Sequence, residues 1–163
     1  MRPALEQRPP QWENWDLRAT LLARGQRNAR LNMLWEQRGG VFRCVLSGPF
    51  GLGATELSGS PERVEIRHGE QRWLSLDPAA DLAQMTGVEL PVETLQAWLL
   101  GTPRAQFQGA LVDEWSAQGW TVEVGAREQV EQAWVPTELR LYSAEQELSL
   151  SRMRWSPLPA LAP

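Results

Sequence analysis

No lysine occurs in the 163 residues, so all 16 basic side chains are arginines, and both Schiff-base chemistry and the phosphate-gripping lysine of a P-loop are excluded. Histidine and cysteine are nearly absent. His68 and Cys44 each stand alone, which rules out an intrachain disulfide, a structural zinc site and a Cys–His nucleophile pair. Positive charge is in deficit as well, because 20 acidic residues leave a net charge of −4 and no global field draws the chain to nucleic acid. Long apolar runs are missing. Stretches such as Ala97 to Leu100 fall far short of the roughly 20 residues that span a bilayer. The opening MRPALEQRPPQ has no apolar core of a signal peptide, so the chain as written is expected to be soluble.

What is abundant is tryptophan, with nine copies. Two readings are open, a well-filled aromatic core or an aromatic-rich apolar cavity or membrane contact. The length suits one domain, expected over residues 12–155, between a flexible, proline-rich lead (1–11) and a Pro-rich tail (156–163). Within it, period-two alternation and Gly or polar turns mark strands at Trp15 to Ala23, Arg27 to Gln37, Val41 to Ser47, Gly53 to Gly59, Arg63 to Arg67 and Gln71 to Leu74. The period then changes. Asp77-Pro78 caps a helix ending at Gly87, and a second helix runs from Pro91 to Gly101. Strand signals return at Ala105 to Val112, Gly119 to Val124, Ala133 to Val135, Glu138 to Tyr142 and Glu147 to Trp155. The expected fold is mainly β: an open antiparallel barrel of about ten or eleven strands with a short helical lid over its concave side. Such a barrel has room for a ligand cavity or for the helices as filler.

Catalytic constellations are not found: there is no G-x-S-x-G, no metal-ligand spacing and no Gly-rich phosphate loop. Neither an enzyme nor a cofactor or metal is expected. His68 reads as a solvated hairpin turn, Cys44 as a small buried hydrophobe, and Asp113-Glu114 as a loop or edge pair whose side chains diverge. The turn Gly48-Pro49-Phe50-Gly51-Leu52-Gly53 is more informative. Phe50 and Leu52 are costly to expose on a loop, so either they fold back onto the sheet or they protrude into lipid or a partner.

Several strings together resemble the LolB family, the outer-membrane lipoprotein receptors of Gram-negative bacteria. They are Pro10-Gln11-Trp12, Leu34-Trp35-Glu36-Gln37, Leu46-Ser47-Gly48-Pro49-Phe50-Gly51, and Thr86-Gly87-Val88-Glu89-Leu90-Pro91 followed by Leu95, Trp98 and Gly101. The resemblance covers about Trp12 to Trp155. It implies a half-open barrel with a helical lid that takes the acyl chains of lipoproteins from the periplasmic carrier LolA and delivers them to outer-membrane lipid. No covalent chemistry is implied, and a monomer is expected. The membrane-delivery loop would be Pro49, Phe50, Gly51 and Leu52, with Phe50 standing where the family usually has Leu. Strand candidates for the acyl cavity are Leu17, Leu21, Leu31, Met33, Trp35, Phe42 and Leu46. Lid candidates are Leu82, Met85, Leu95, Trp98 and Leu99. The family carries a lipidated cysteine at its mature N-terminus, whereas Cys44 lies mid-strand without lipobox context. The natural form is expected to be lipid-anchored at the periplasmic face of the outer membrane. Many members also show Gly-Arg in the first strand where this chain has Ala19-Thr20.

Overall fold

The alternation that marks the first strand continues through the molecule. In a computed structural model describing residues 8–25, 27–48 and 53–159, every second side chain of β1 (Asn14–Arg24), from Trp15 to Ala23, is buried. Along β2 (Ala29–Arg38) the buried positions are Met33, Trp35 and Gln37, and along β3 (Val41–Ser47) they are Phe42, Cys44 and Leu46. Short turns then lead through β4 (Thr55–Ser60), β5 (Arg63–His68) and β6 (Gln71–Ser75). Two helices follow, α1 (Pro78–Thr86) and α2 (Val92–Leu99), and then β7 (Glu114–Ala117), β8 (Trp120–Val130), β9 (Ala133–Tyr142) and β10 (Glu147–Pro157).

These strands form one antiparallel sheet in the order β6-β5-β4-β3-β2-β1-β10-β9-β8-β7. Its first and last strands pair at the centre, where Leu17 faces Trp155 and Leu21 faces Leu150. The edges are β6 and β7, which do not pair with each other. The expected open barrel is therefore present, and the helices enter the sequence between its two free edges. One apolar cluster joins the inner side chains of β1 to β5 and β8 to β10 to both helices. Full burial of each Leu or Val there stabilises the fold by roughly 1.5–3 kcal/mol.

Three expectations are corrected. Ala105 to Val112, read as a strand, is loop, and β7 begins later, at Glu114. Gly109 faces the Phe107 ring so closely that a Cβ there would meet Cζ at 2.5 Å, a fold-back that no extended strand makes. The two segments Ala133 to Val135 and Glu138 to Tyr142 are one strand, β9, continuing through Pro136. Pro136 is accommodated where the β8–β9 register shifts between Ala126 and Arg127, the kind of irregularity at which a sheet tolerates proline. The described part of the lead is also docked: Pro9 and Pro10 are buried, and the Arg8 carbonyl accepts the Trp134 N–H at 3.1 Å.

Candidate functional site

The concave face is covered by a helical hairpin whose local sequence fixes both of its ends. Asp77 accepts the Ala80 N–H at 3.2 Å, Pro78 opens α1, and Gly87 closes it in the left-handed region at φ 79°, where glycine has no Cβ penalty. Asp81 then ties the helix to the edge strand. Its carboxylate accepts from Ser75 Oγ at 2.6 Å and Trp73 Nε1 at 3.0 Å. Those bonds, Ser75 first, hold the Asp81 carboxyl below the ordinary carboxylate range against the opposing effect of burial.

Between the helices Val88 and Leu90 are buried, and the exposed Glu89 is gripped from the side. Its N–H donates to Gln146 Oε1 at 3.1 Å, and its carbonyl accepts Gln146 Nε2 at 2.7 Å. One side-chain amide thus satisfies both peptide groups of the linker residue, as a partner strand would. On α2 the side chains of Val92, Leu95, Ala97, Trp98 and Leu99 are buried. The helix ends at Gly101 (φ 81°), where an added Cβ would lie 2.9 Å from Pro136 Cγ.

Beneath the hairpin an aromatic row crosses the sheet. Trp12 and Trp155 have centroids 6.0 Å apart, Trp155 and Trp15 5.2 Å, Trp15 and Trp35 6.4 Å, and Trp35 and Phe42 4.8 Å. Two of the polar tips have partners: Trp35 Nε1 donates to Gln37 Oε1 at 2.8 Å, and Trp155 Nε1 to the Pro136 carbonyl at 2.7 Å. Of the two readings of the tryptophans, filling of the core is the one realised in this closed state.

Ten of the expected cavity residues, Leu17, Leu21, Met33, Trp35, Phe42, Leu46, Leu82, Leu95, Trp98 and Leu99, meet in one buried cluster. Leu31 is partly buried against it, whereas Met85 is half-buried and outside it. Pro49, Phe50, Gly51 and Leu52 lie outside the described residues. The return half of the sheet supplies inner residues absent from the sequence reading, among them Val122, Leu139, Leu141, Leu148, Leu150 and Met153. Their alternation was legible, and the signal that would have recruited them is the β1–β10 pairing that brings them to the same face. Two clefts flank α2. The larger, about 650 Å³, lies between Trp12, Trp15, Leu100 and Phe107, and the other, about 490 Å³, between Pro61, Trp98, Pro103 and Ala117.

Among the described residues no group of three or more metal-ligating side chains occurs, and no helix is long and apolar enough to cross a membrane. His68 is half-buried at the end of β5 rather than on an open turn, with Nδ1 at 2.8 Å from Thr55 Oγ1. Burial pushes the Cys44 thiol up to about 12, against a smaller lowering by Arg43.

An unclosed antiparallel barrel whose apolar inner face is capped by a helical hairpin defines a lidded barrel, built around one interior. The chain belongs to the LolB family: residues 13–155 match the family described as "Outer membrane lipoprotein LolB". It is 34% identical over 151 residues to a relative named outer-membrane lipoprotein LolB in Halorhodospira halophila, covering 85% of this chain and 72% of that one. A relative of the same name in Chromohalobacter salexigens is 30% identical over 78% of this chain and 63% of its own length. Another, in Pseudomonas fluorescens, is 27% identical over 89% and 75%.

Proposed function

We propose that this chain is the lipoprotein acceptor of a Lol sorting system, taking acylated lipoproteins from a LolA-like carrier and passing them to the periplasmic face of the outer membrane. The observation that carries this reading is the inner face itself, apolar across eight strands and both helices and covered by a hairpin whose polar ties to the sheet are at Asp81 and Glu89. In the closed state the side chains of Leu82, Leu95, Trp98 and Leu99 fill the space that acyl chains would take. Uptake then exchanges one apolar occupant for another. Each buried methylene contributes roughly 0.8 kcal/mol, so acyl chains of any lipoprotein suffice without recognition of its sequence.

Delivery requires that this interior hold acyl chains more tightly than the carrier does and less tightly than the bilayer. Phe50 and Leu52, on the connection between β3 and β4, are the apolar groups that enter the membrane and promote release. The protein works as a monomer, and its steps are binding and transfer without bond making. The test is transfer of a triacylated lipoprotein from LolA to this chain and then to liposomes, with and without Phe50→Glu. Uptake by both proteins, with recovery on liposomes falling about tenfold or more in the variant, is the expected result; the cost of a carboxylate in hydrocarbon sets that scale. No uptake by the folded wild-type chain would refute the receptor reading.

A further inference from the structure

The outer face of the sheet carries a second feature, of opposite chemistry to the inner one. Six arginines, Arg38, Arg43, Arg67, Arg72, Arg127 and Arg140, have acidic partners within 4.0 Å. Nine others have none among the described residues, and five of these, Arg18, Arg24, Arg30, Arg152 and Arg154, fall together although the chain as a whole is acidic. All five are exposed, and all lie on the central strands β10, β1 and β2. Arg18 stands directly opposite Arg154 in the β1–β10 register, a like-charge pairing that costs stability.

At the stripe's end the β1–β2 turn builds a cleft of about 300 Å³, with Arg24, Arg30 and Asn28 around Leu22, Ala23 and Ala29. Leu22 faces Arg30 across the two strands and lies on the same face as Arg24, so an alkyl side chain sits between the two arginine positions. That combination suits a phosphate diester attached to hydrocarbon, because arginine's planar fork matches phosphate oxygens and is only weakly hydrated. The nearest acid in register, Glu147 opposite Arg24, is itself bonded by Arg140 Nε at 2.8 Å.

The cleft also has a defined place relative to delivery. Ser47, the last residue of β3, pairs with Asn32, two residues from Arg30 on β2. The connection bearing Phe50 and Leu52 therefore leaves the sheet at the end where the cleft opens. We propose that the Arg24–Arg30 cleft, with Arg18, Arg152 and Arg154 behind it, is the surface by which this chain docks on anionic phospholipid at the membrane. This rests on the receptor reading above and adds to it the face presented to the bilayer. Docking there would set the chain against the bilayer with its apolar connection at the lipid surface before acyl chains are released.

The test is flotation of the cargo-free full chain with vesicles of phosphatidylcholine alone, or of phosphatidylcholine and phosphatidylglycerol in roughly equal parts. Binding is expected to favour the anionic vesicles and to weaken with added salt. The double variant Arg24→Gln, Arg30→Gln should lose about twenty-five-fold in binding, since each arginine near a charged bilayer contributes roughly a factor of five. Arg8→Gln with Arg63→Gln removes the same charge from exposed positions outside the stripe and should lose much less. Inorganic phosphate at matched ionic strength should not displace the chain. Equal binding to both vesicles, equal losses in the two double variants, or displacement by free phosphate would each overturn the proposal. Acyl uptake by the wild-type chain without vesicles reports separately on the receptor reading.

Discussion

Asp81 shows how much of the lid's attachment rests on single polar groups. Its carboxylate receives both Ser75 Oγ and Trp73 Nε1 from the edge strand, and its lowered pKa means that the folded state prefers the ionised form more than the unfolded chain does. That preference stabilises the protein above the ordinary carboxylate range and is lost as pH falls through the lower folded value. Urea midpoints measured between about pH 5 and 2 should therefore fall more steeply in wild type than in Ser75→Ala, which removes the larger cause of the shift. An unchanged slope would place the acid sensitivity elsewhere. Cys44 illustrates a residue read correctly from its strand position, buried in register between Trp35 and Leu57. Asp81 was not legible in this way, because its partners lie on β6, and only the turn of chain at Ser75 to Pro78 brings strand and helix together.

The elements themselves divide by how much of their pattern is local. Strands β1, β2 and β3 alternate strictly and were read nearly to their ends, since one face packs and the other is wet. Helices α1 and α2 were legible from Asp77-Pro78, Gly87 and Gly101, whose backbone roles do not depend on distant contacts. The failures lie where tertiary context outweighs pattern. Phe107, Leu111 and Val112 resemble strand residues, yet this stretch is the loop running from α2 to β7, and Phe107 O accepts Gln11 Nε2 at 2.9 Å from the docked lead. Strand β8 runs six residues past its expected end, to Val130, because its later half is mostly solvent-facing and so lacks apolar alternation. The hold of Gln146 on the interhelix linker was likewise invisible in the sequence, since Gln146 lies 57 residues from Glu89. Its pair of hydrogen bonds predicts that Gln146→Ala lowers stability by about 1 kcal/mol and speeds amide exchange at Glu89 and its neighbours. Exchange that rose uniformly through the sheet instead would show that the contact is not specific to the hairpin.

At the scale of the whole molecule, the interior of the open barrel is filled by its own helices, so folding and cargo binding compete for one space if acyl chains enter it. Leu95 is fully buried on α2 within the common cluster. Truncation to alanine should cost about 2–5 kcal/mol of closed-state stability, through lost transfer energy and the cavity left behind. If acyl chains bind only after the hairpin has moved away, the same change weakens the competitor and leaves the sheet face intact. The open fraction rises, and the apparent affinity for cargo rises with it. Leu95→Ala should therefore melt earlier and yet accept more lipoprotein from a LolA-like donor at equal concentration. The sheet face gives the opposite expectation: Leu21→Ala, at a fully buried position on β1, should lose stability and uptake together, because that side chain walls the site in both states. Urea denaturation and a transfer assay on the two variants make the comparison. Parallel losses of uptake in both would show that the hairpin's inner side chains remain in the site as a wall for acyl chains, and that opening moves the helices outward as a roof without removing them.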